Sequence, residues 1–221
     1  YAHAVGPFGG ITAATLLNAA LSHAARLGEP LSLTANYARP IADGEFRVEA
    51  LPVCTNRSTQ HWSITLSQGG VVATTATVVF AVRRDTVSST EVASPEVPPA
   101  DVLQRVPAGG MSTWTNNYDL RFVQGGLPDE TEVERQSGST TIQWIRDDPP
   151  RAMDFLSLAS ICDSFFPRIF LRKQKPVPSG TISLTTYFHA NTEMLDTLGN
   201  RPVLGVARAS HFGLGFHDQS A

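Results

Sequence analysis

The feature that most constrains this chain is an internal repeat. Residues 6–27, GPFGGITAATLLNAALSHAARL, read as a glycine-rich lead-in to an Ala/Leu helix. Ile11, Ala14, Leu17, Ala20, Leu21 and Ala24 recur at helical spacing, and Gly28 and Pro30 stop it. Strand-like runs follow at 31–38, 45–55, 60–67 and 71–82, with Gln68-Gly69-Gly70 as the hairpin turn between the last two. The order then recurs. Runs at 117–123 and 139–146 lead through the turn Asp147-Asp148-Pro149-Pro150 into an apolar, helix-like segment over 154–172, and strands follow at 181–189 and 203–216. The strands directly after the two helices are alike: LTANYARP at 33–40 answers LTTYFHAN at 184–191. A helix followed by an antiparallel sheet, twice, predicts an α+β duplication in which each sheet wraps around its own helix. The halves are placed at 1–84 and 111–221, with a Ser-, Pro- and Val-rich linker over 85–110. Gly109-Gly110 and Gly125-Gly126 read as turns. The second half has strands ahead of its helix where the first has almost nothing before Gly6, and fewer strands after it. The repeat therefore predicts further sequence at both ends, leaving unpaired sheet edges if there is none.

One residue of the second helix segment stands apart. At 100° per residue, Asp163 shares a stripe with Leu156, Ala159, Phe166 and Phe170. A carboxylate on the stripe a helix should bury is costly unless it is paired or used. Asp154 falls on the opposite side, in the first turn, where it complements the helix dipole. Asp163 is therefore a candidate functional acid. The competing readings are a surface position and a buried acid satisfied by backbone donors. The first helix carries no acid between Phe8 and Leu27, which favours one composite site over two.

Composition excludes several function classes. A net charge of −3 gives no support for nucleic-acid binding. The local basic cluster Arg168, Arg172, Lys173 and Lys175 reads first as cations at a helix C-terminus and second as a handle for a phosphate group. Two cysteines, Cys54 and Cys162, make no disulfide framework and read as free, packed thiols. The scattered histidines show no metal-ligand spacing, so no metal and no cofactor is expected. No apolar run reaches the roughly 18 residues of a membrane span, and no signal peptide is visible, so the default location is the cytoplasm. The absence of GxSxG removes the usual support for a serine nucleophile.

Several motifs, in order, carry a resemblance. Phe8-Gly9-Gly10 opens the first helix, Tyr37-Ala38-Arg39-Pro40 ends a strand, and Thr55-Asn56-Arg57-Ser58 precedes the next. In the second half stand Ala159-Ser160-Ile161-Cys162-Asp163 and the run Thr181 to His189, TISLTTYFH. Together these resemble the acyl-CoA thioesterase II (TesB-like) family. The resemblance implies a tandem, or double, hotdog fold, cytoplasmic hydrolysis of acyl-CoA, no cofactor, and homo-oligomers built through the sheets. It also implies an Asp, a Thr or Ser and a Gln that hold the hydrolytic water. It places the acid at Asp163 and the hydroxyl at Thr181, and puts the Gln on a final strand beyond Ala221. Gln219 lies a strand too early for that role.

Each of these residues has a chemical rationale and a plainer one. A buried Asp163 orients a water and accepts its proton, because burial raises its basicity. Thr181 fixes the water's second hydrogen bond, or is an ordinary strand-start threonine. Gly9 and Gly10 bring free helix N–H groups close to a substrate carbonyl, or serve only as a tight turn. Three rival functions remain: a hotdog hydratase or dehydratase, disfavoured because no His lies near Asp163; a non-catalytic acyl-CoA or acyl-carrier binding module; and a structural or assembly role through the exposed sheet, which nothing in the sequence favours.

Overall fold

The structure is a computed structural model that describes residues 2–3, 6–107, 112–127 and 138–221. The turn expected at Gly109-Gly110 lies outside the described residues. In chain order the elements are β1 (Ala2–His3), β2 (Gly6–Pro7), α1 (Gly9–Leu21), β3 (Glu29–Tyr37), β4 (Arg47–Thr55), β5 (Thr59–Gln68) and β6 (Val71–Ala81). There follow β7 (Tyr118–Gln124), β8 (Thr141–Asp147), α2 (Phe155–Ile161), α3 (Ile169–Lys173), β9 (Ser183–Tyr187), α4 (Thr192–Leu198), β10 (Val203–Ala207), β11 (Phe212–Gly213) and β12 (Phe216–His217). The chain forms two compact units: residues 1–95, 152–163 and 181–199 make the first, and 96–151, 164–180 and 200–221 the second.

The first unit is built on an antiparallel sheet in the order β4-β5-β6-β3-β9. Period-two alternation sends Leu33, Ala35, Trp62, Ile64, Leu66, Ala76, Val78 and Phe80 inward, all nearly inaccessible. Leu16 and Leu17 of α1 are fully buried in the same unit. The β5–β6 hairpin turns through Gly69 and Gly70, whose φ values of 57° and 79° are left-handed and suit glycine at both central positions. The two strands that look alike in sequence are neighbours: β3 and β9 pair antiparallel, with Leu33 opposite Thr186 and Thr34 opposite Thr185. The second helix segment packs on the first, α2 against α1. α2 and β9 both belong to the first unit.

Helix boundaries differ from those the periodicity suggests. α1 stops at Leu21, six residues short of Leu27. The buried amide of Gln60 takes the N–H of Leu27 and donates to the carbonyl of Ala25, each at 2.9 Å, which satisfies this backbone outside a helix. The segment 154–172 is two helices rather than one. Asp154 caps α2 by accepting the N–H of Ser157 at 2.7 Å. α2 ends at Ile161, and the N–H of Asp163 closes a tighter turn on the carbonyl of Ser160 at 3.2 Å. Pro167 then bars a single helix from running through the segment: it has no N–H to donate and disfavours helical backbone at Phe166. Asp163 is therefore a turn residue just beyond α2, not a mid-helix one.

The second unit carries the sheet β10-β8-β7 over Leu120, Ile145 and Ala207, with Phe165 closing on Gly205. The strand expected over 203–216 is broken into β10 and the short β11–β12 ladder. The expected basic cluster also divides. Arg172 and Lys173 occupy the last turn of α3, whereas Arg168 precedes α3 and is fully buried. Cys162 is partly buried as expected, but Cys54 is exposed on β4, an edge strand with an open outer side.

Candidate active site

The N-terminus of α1 and the turn after α2 meet. Phe8 is the residue before α1 and supplies no capping side-chain hydrogen bond. The first N–H groups of a helix have no partner within it. Here the carboxylate of Asp163 comes against the first residues of α1, where the Gly10 N–H favours its charged form. The glycines make this approach possible. A Cβ on Gly10 would stand 2.3 Å from the carbonyl oxygen of Ser160, and one on Gly9 would stand 2.6 Å from Oδ2 of Asp163. Both distances are far inside van der Waals contact, so the absence of side chains is what lets α1 close on α2.

Asp163 is enclosed by protein on most sides. Burial pushes its carboxyl up from the ordinary 3.8 to about 7, against the opposing pull of the Gly10 N–H. The phenol of Tyr37 lies beside it and donates to the carbonyl of Gly9 at 2.9 Å. Burial first, and Asp163 second, push that phenol above the ordinary tyrosine range, so it remains a donor. The Cys162 thiol is likewise pushed up by burial, with the Thr186 hydroxyl acting in the opposite direction and Asp163 adding to the rise. Thr186 occupies an inner position of β9, is 5% exposed, and meets no hydrogen-bond partner at standard geometry.

The structure thus brings Asp163, Gly9 and Gly10 together. Thr181 is not placed with them by any hydrogen bond. It lies before β9 rather than within it, on an exposed stretch, next to Ile182, whose carbonyl accepts the N–H of Tyr37 at 2.9 Å. Gln219 lies in the second unit, where its side-chain oxygen accepts from Nε of Arg168 at 3.0 Å.

Two family profiles cover nearly all of the chain. The acyl-CoA thioesterase N-terminal domain matches residues 1–81 and the acyl-CoA thioesterase C-terminal domain residues 91–221. The chain belongs to the acyl-CoA thioesterase family. Its fold is the tandem hotdog of that family. A hotdog-fold protein of unknown function from Alicyclobacillus acidocaldarius is 48% identical over 99% of this chain and 81% of that one, with a TM-score of 0.93. The tesB protein of Mycobacterium avium subspecies paratuberculosis is 18% identical over 98% of this chain and 80% of that one, at TM-score 0.76. The acyl-CoA thioesterase II TesB2 of Mycobacterium marinum is 16% identical over 97% and 81%, at TM-score 0.73. The last two likenesses speak to the fold alone. A search of curated proteins finds no match.

Other features of this acyl-CoA thioesterase family member offer less chemistry. An open depression of about 800 Å³ in the first unit is lined by Glu29, Arg83, Thr192 and Glu193, among others, and includes none of Asp163, Gly9, Gly10 or Thr181. Two of its charged groups are already engaged: Arg83 pairs with Glu29 at 3.0 Å, and Glu29 accepts the N–H of Thr192 at 3.0 Å. Among the described residues no cluster of His, Cys, Asp and Glu suits a metal ion, and no helix is long and apolar enough to cross a membrane. Sequence reasoning missed Tyr37, beside the acid, and Thr186, which meets the adjoining Cys162. Tyr37 sits in a quoted motif, and Thr186 shows as a polar residue at an inward-facing place in an alternating strand, where an apolar one is usual.

Proposed function

We propose that this protein hydrolyses acyl-CoA thioesters to the free acid and CoA, with Asp163 as the general base. Asp163 takes a proton from water as the oxygen bonds to the thioester carbonyl carbon. Collapse of the tetrahedral intermediate breaks the C–S bond, and the proton passes to the departing thiolate. The observation that carries this reading is an enclosed carboxyl with a value of about 7, next to helix-terminal N–H groups in a chain of the thioesterase family. A group at that value is substantially ionised at neutral pH and is a stronger base than an ordinary aspartate. The Gly9 N–H, at the first helical position, is the donor assigned to the carbonyl oxygen.

The water's second contact is Thr181 by family resemblance. Thr186 is the competitor, because its buried hydroxyl has no partner at hydrogen-bonding geometry. Loss of hydrolysis in Thr181→Ala with Thr186→Val intact selects the first, and the reverse selects the second. The two hotdogs are assigned to 1–84 and 111–221 with a linker over 85–110; the N-terminal profile ends at 81, near the first bound, and the C-terminal one begins at 91, within that linker.

The experiment for the reaction is hydrolysis of an acyl-CoA series, followed with a thiol reagent, in wild type and Asp163→Asn. Undiminished activity in the variant would sink the role of Asp163. A wild type that binds acyl-CoA and hydrolyses none would establish the binding-module alternative.

A further inference from the structure

The Gly9–Gly10 peptide is held at both ends. Its carbonyl accepts the Tyr37 phenol at 2.9 Å, and its N–H acts on the neighbouring Asp163 to favour the charged carboxylate. Carbonyl and N–H belong to one planar amide, so fixing one fixes the direction of the other. A donor on the oxygen also polarises the amide and strengthens its N–H as a donor. We propose that Tyr37 is a positioning residue for Asp163, acting through the Gly9–Gly10 peptide. The catalytic part of this inference rests on the reading of Asp163 as the base.

The placement of the three groups supports it. A Cβ on Gly9 would lie 3.4 Å from Cζ and Oη of Tyr37 and 2.6 Å from Oδ2 of Asp163, so one side of Gly9 faces both. Tyr37 is anchored from below. It ends β3 opposite Thr74 of β6, and its N–H is bound to the carbonyl of Ile182. The sheet therefore sets the position of the phenol, the phenol sets the peptide, and the peptide N–H acts on the carboxylate. No side chain at the start of α1 competes for this work, since Phe8 contributes no cap.

The electrostatic surroundings leave Asp163 as the titrating member. Neither α1 nor α2 contains a charged residue. Tyr37 on β3 and Cys162 beside the acid are the titratable groups that interact with it, and burial pushes both above their ordinary ranges. Thr186 on β9 does not ionise.

The test is Tyr37→Phe, which keeps the ring and removes one donor. The expected result is a fall in kcat of roughly tenfold with KM changed by less than about twofold. The acid limb of the rate profile should move to higher pH, because the Gly10 N–H then favours the carboxylate less. The Asp163 carboxyl is titrated directly by carbon-13 NMR, with Asp163→Asn identifying its signal, and its midpoint should move the same way. Replacement of Tyr37 by 3-fluorotyrosine supplies a stronger donor and should move the midpoint down. A midpoint unchanged in both variants overturns the proposal, and a lowered melting temperature alone would show that Tyr37 only packs. If the wild type hydrolyses no acyl-CoA, the reaction assigned above fails while the carboxyl titration still decides the role of Tyr37.

Discussion

Asp163, in the turn after one helix, sets its Oδ2 against Gly9 at the start of another, 2.6 Å from where a Cβ on that glycine would stand. A carboxylate at a helix N-terminus is ordinarily stabilised by the dipole and by the unpaired N–H groups. Here burial outweighs both and leaves the acid far more basic than usual. A group whose only task was capping would not need to be an acid, since Asn, Ser and Thr cap as well. The charge is the property that capping does not explain.

That distinction makes Asp163→Asn informative. Its amide keeps the shape and an acceptor oxygen beside the start of α1, so the packing is kept and only the base is lost. Acyl-CoA hydrolysis is expected to fall at least about a hundredfold. The melting profile should stay cooperative. Asp163→Ala removes the cap as well and should lower the melting temperature at pH 5.

The wild type and Asp163→Asn should also diverge with pH. The folded value of Asp163 lies above its ordinary 3.8, so between 3.8 and about 7 the folded protein binds this proton more tightly than the unfolded chain does. The stability attached to the group is full below the ordinary value and is lost as pH rises through about 7. At 1.36 kcal/mol per pH unit the loss is about 4 kcal/mol at most. Asparagine has no such dependence. Its melting temperature relative to wild type should therefore rise from pH 5 to pH 8, while wild-type kcat/KM climbs over the same range. A difference that stays flat would mean that Asp163 is not perturbed as described.

The two glycines should fail differently. On Gly10 a methyl group meets the backbone oxygen of Ser160 at 2.3 Å, and backbone cannot rotate away. Gly10→Ala should separate α1 from α2 and cost about 1–3 kcal/mol in chemical denaturation. On Gly9 the methyl meets the Asp163 side chain at 2.6 Å, which can turn aside. Gly9→Ala should therefore lower kcat far more than it lowers the denaturation midpoint.

Local patterns made much of the first unit legible. Strands β3 to β6 follow from alternation, and the Gly69-Gly70 turn from the need for two left-handed residues. The likeness of LTANYARP and LTTYFHAN identified two equivalent strands, though not that they would lie side by side. What escaped depends on partners distant in sequence. α1 stops early because of Gln60, 33 residues beyond Leu27. That 154–172 is not one helix was readable from Pro167, yet apolar periodicity on both sides of it masked the proline. In the site, the apolar surroundings of Asp163 pointed to an unusual acid for a partly mistaken reason, a continuous helix. Tyr37 could not be assigned, because its reach to Gly9 exists only once β3 and α1 are packed.

The last prediction concerns the second unit. Arg168 is fully buried and, among the described residues, pairs with no carboxylate. Its donors go to neutral acceptors: the carbonyl of Phe166 and Oε1 of Gln219, each at 3.0 Å from Nε, and the Thr141 hydroxyl. The guanidinium also lies 4.3 Å from the centre of the Phe166 ring. Burial lowers its value to about 10, so it stays charged at neutral pH. One planar fork thus ties the loop after α2, the start of β8 and the C-terminal segment. A lysine keeps the charge but offers one compact nitrogen, which cannot reach all three acceptors. Arg168→Lys should cost about 2–4 kcal/mol in urea unfolding. Arg168→Met restores the apolar volume and removes the buried charge, but leaves Phe166, Thr141 and Gln219 without their donor. If it proves more stable than Arg168→Lys, the buried charge costs more than the lost hydrogen bonds. If it proves less stable, the hydrogen bonds hold the unit together.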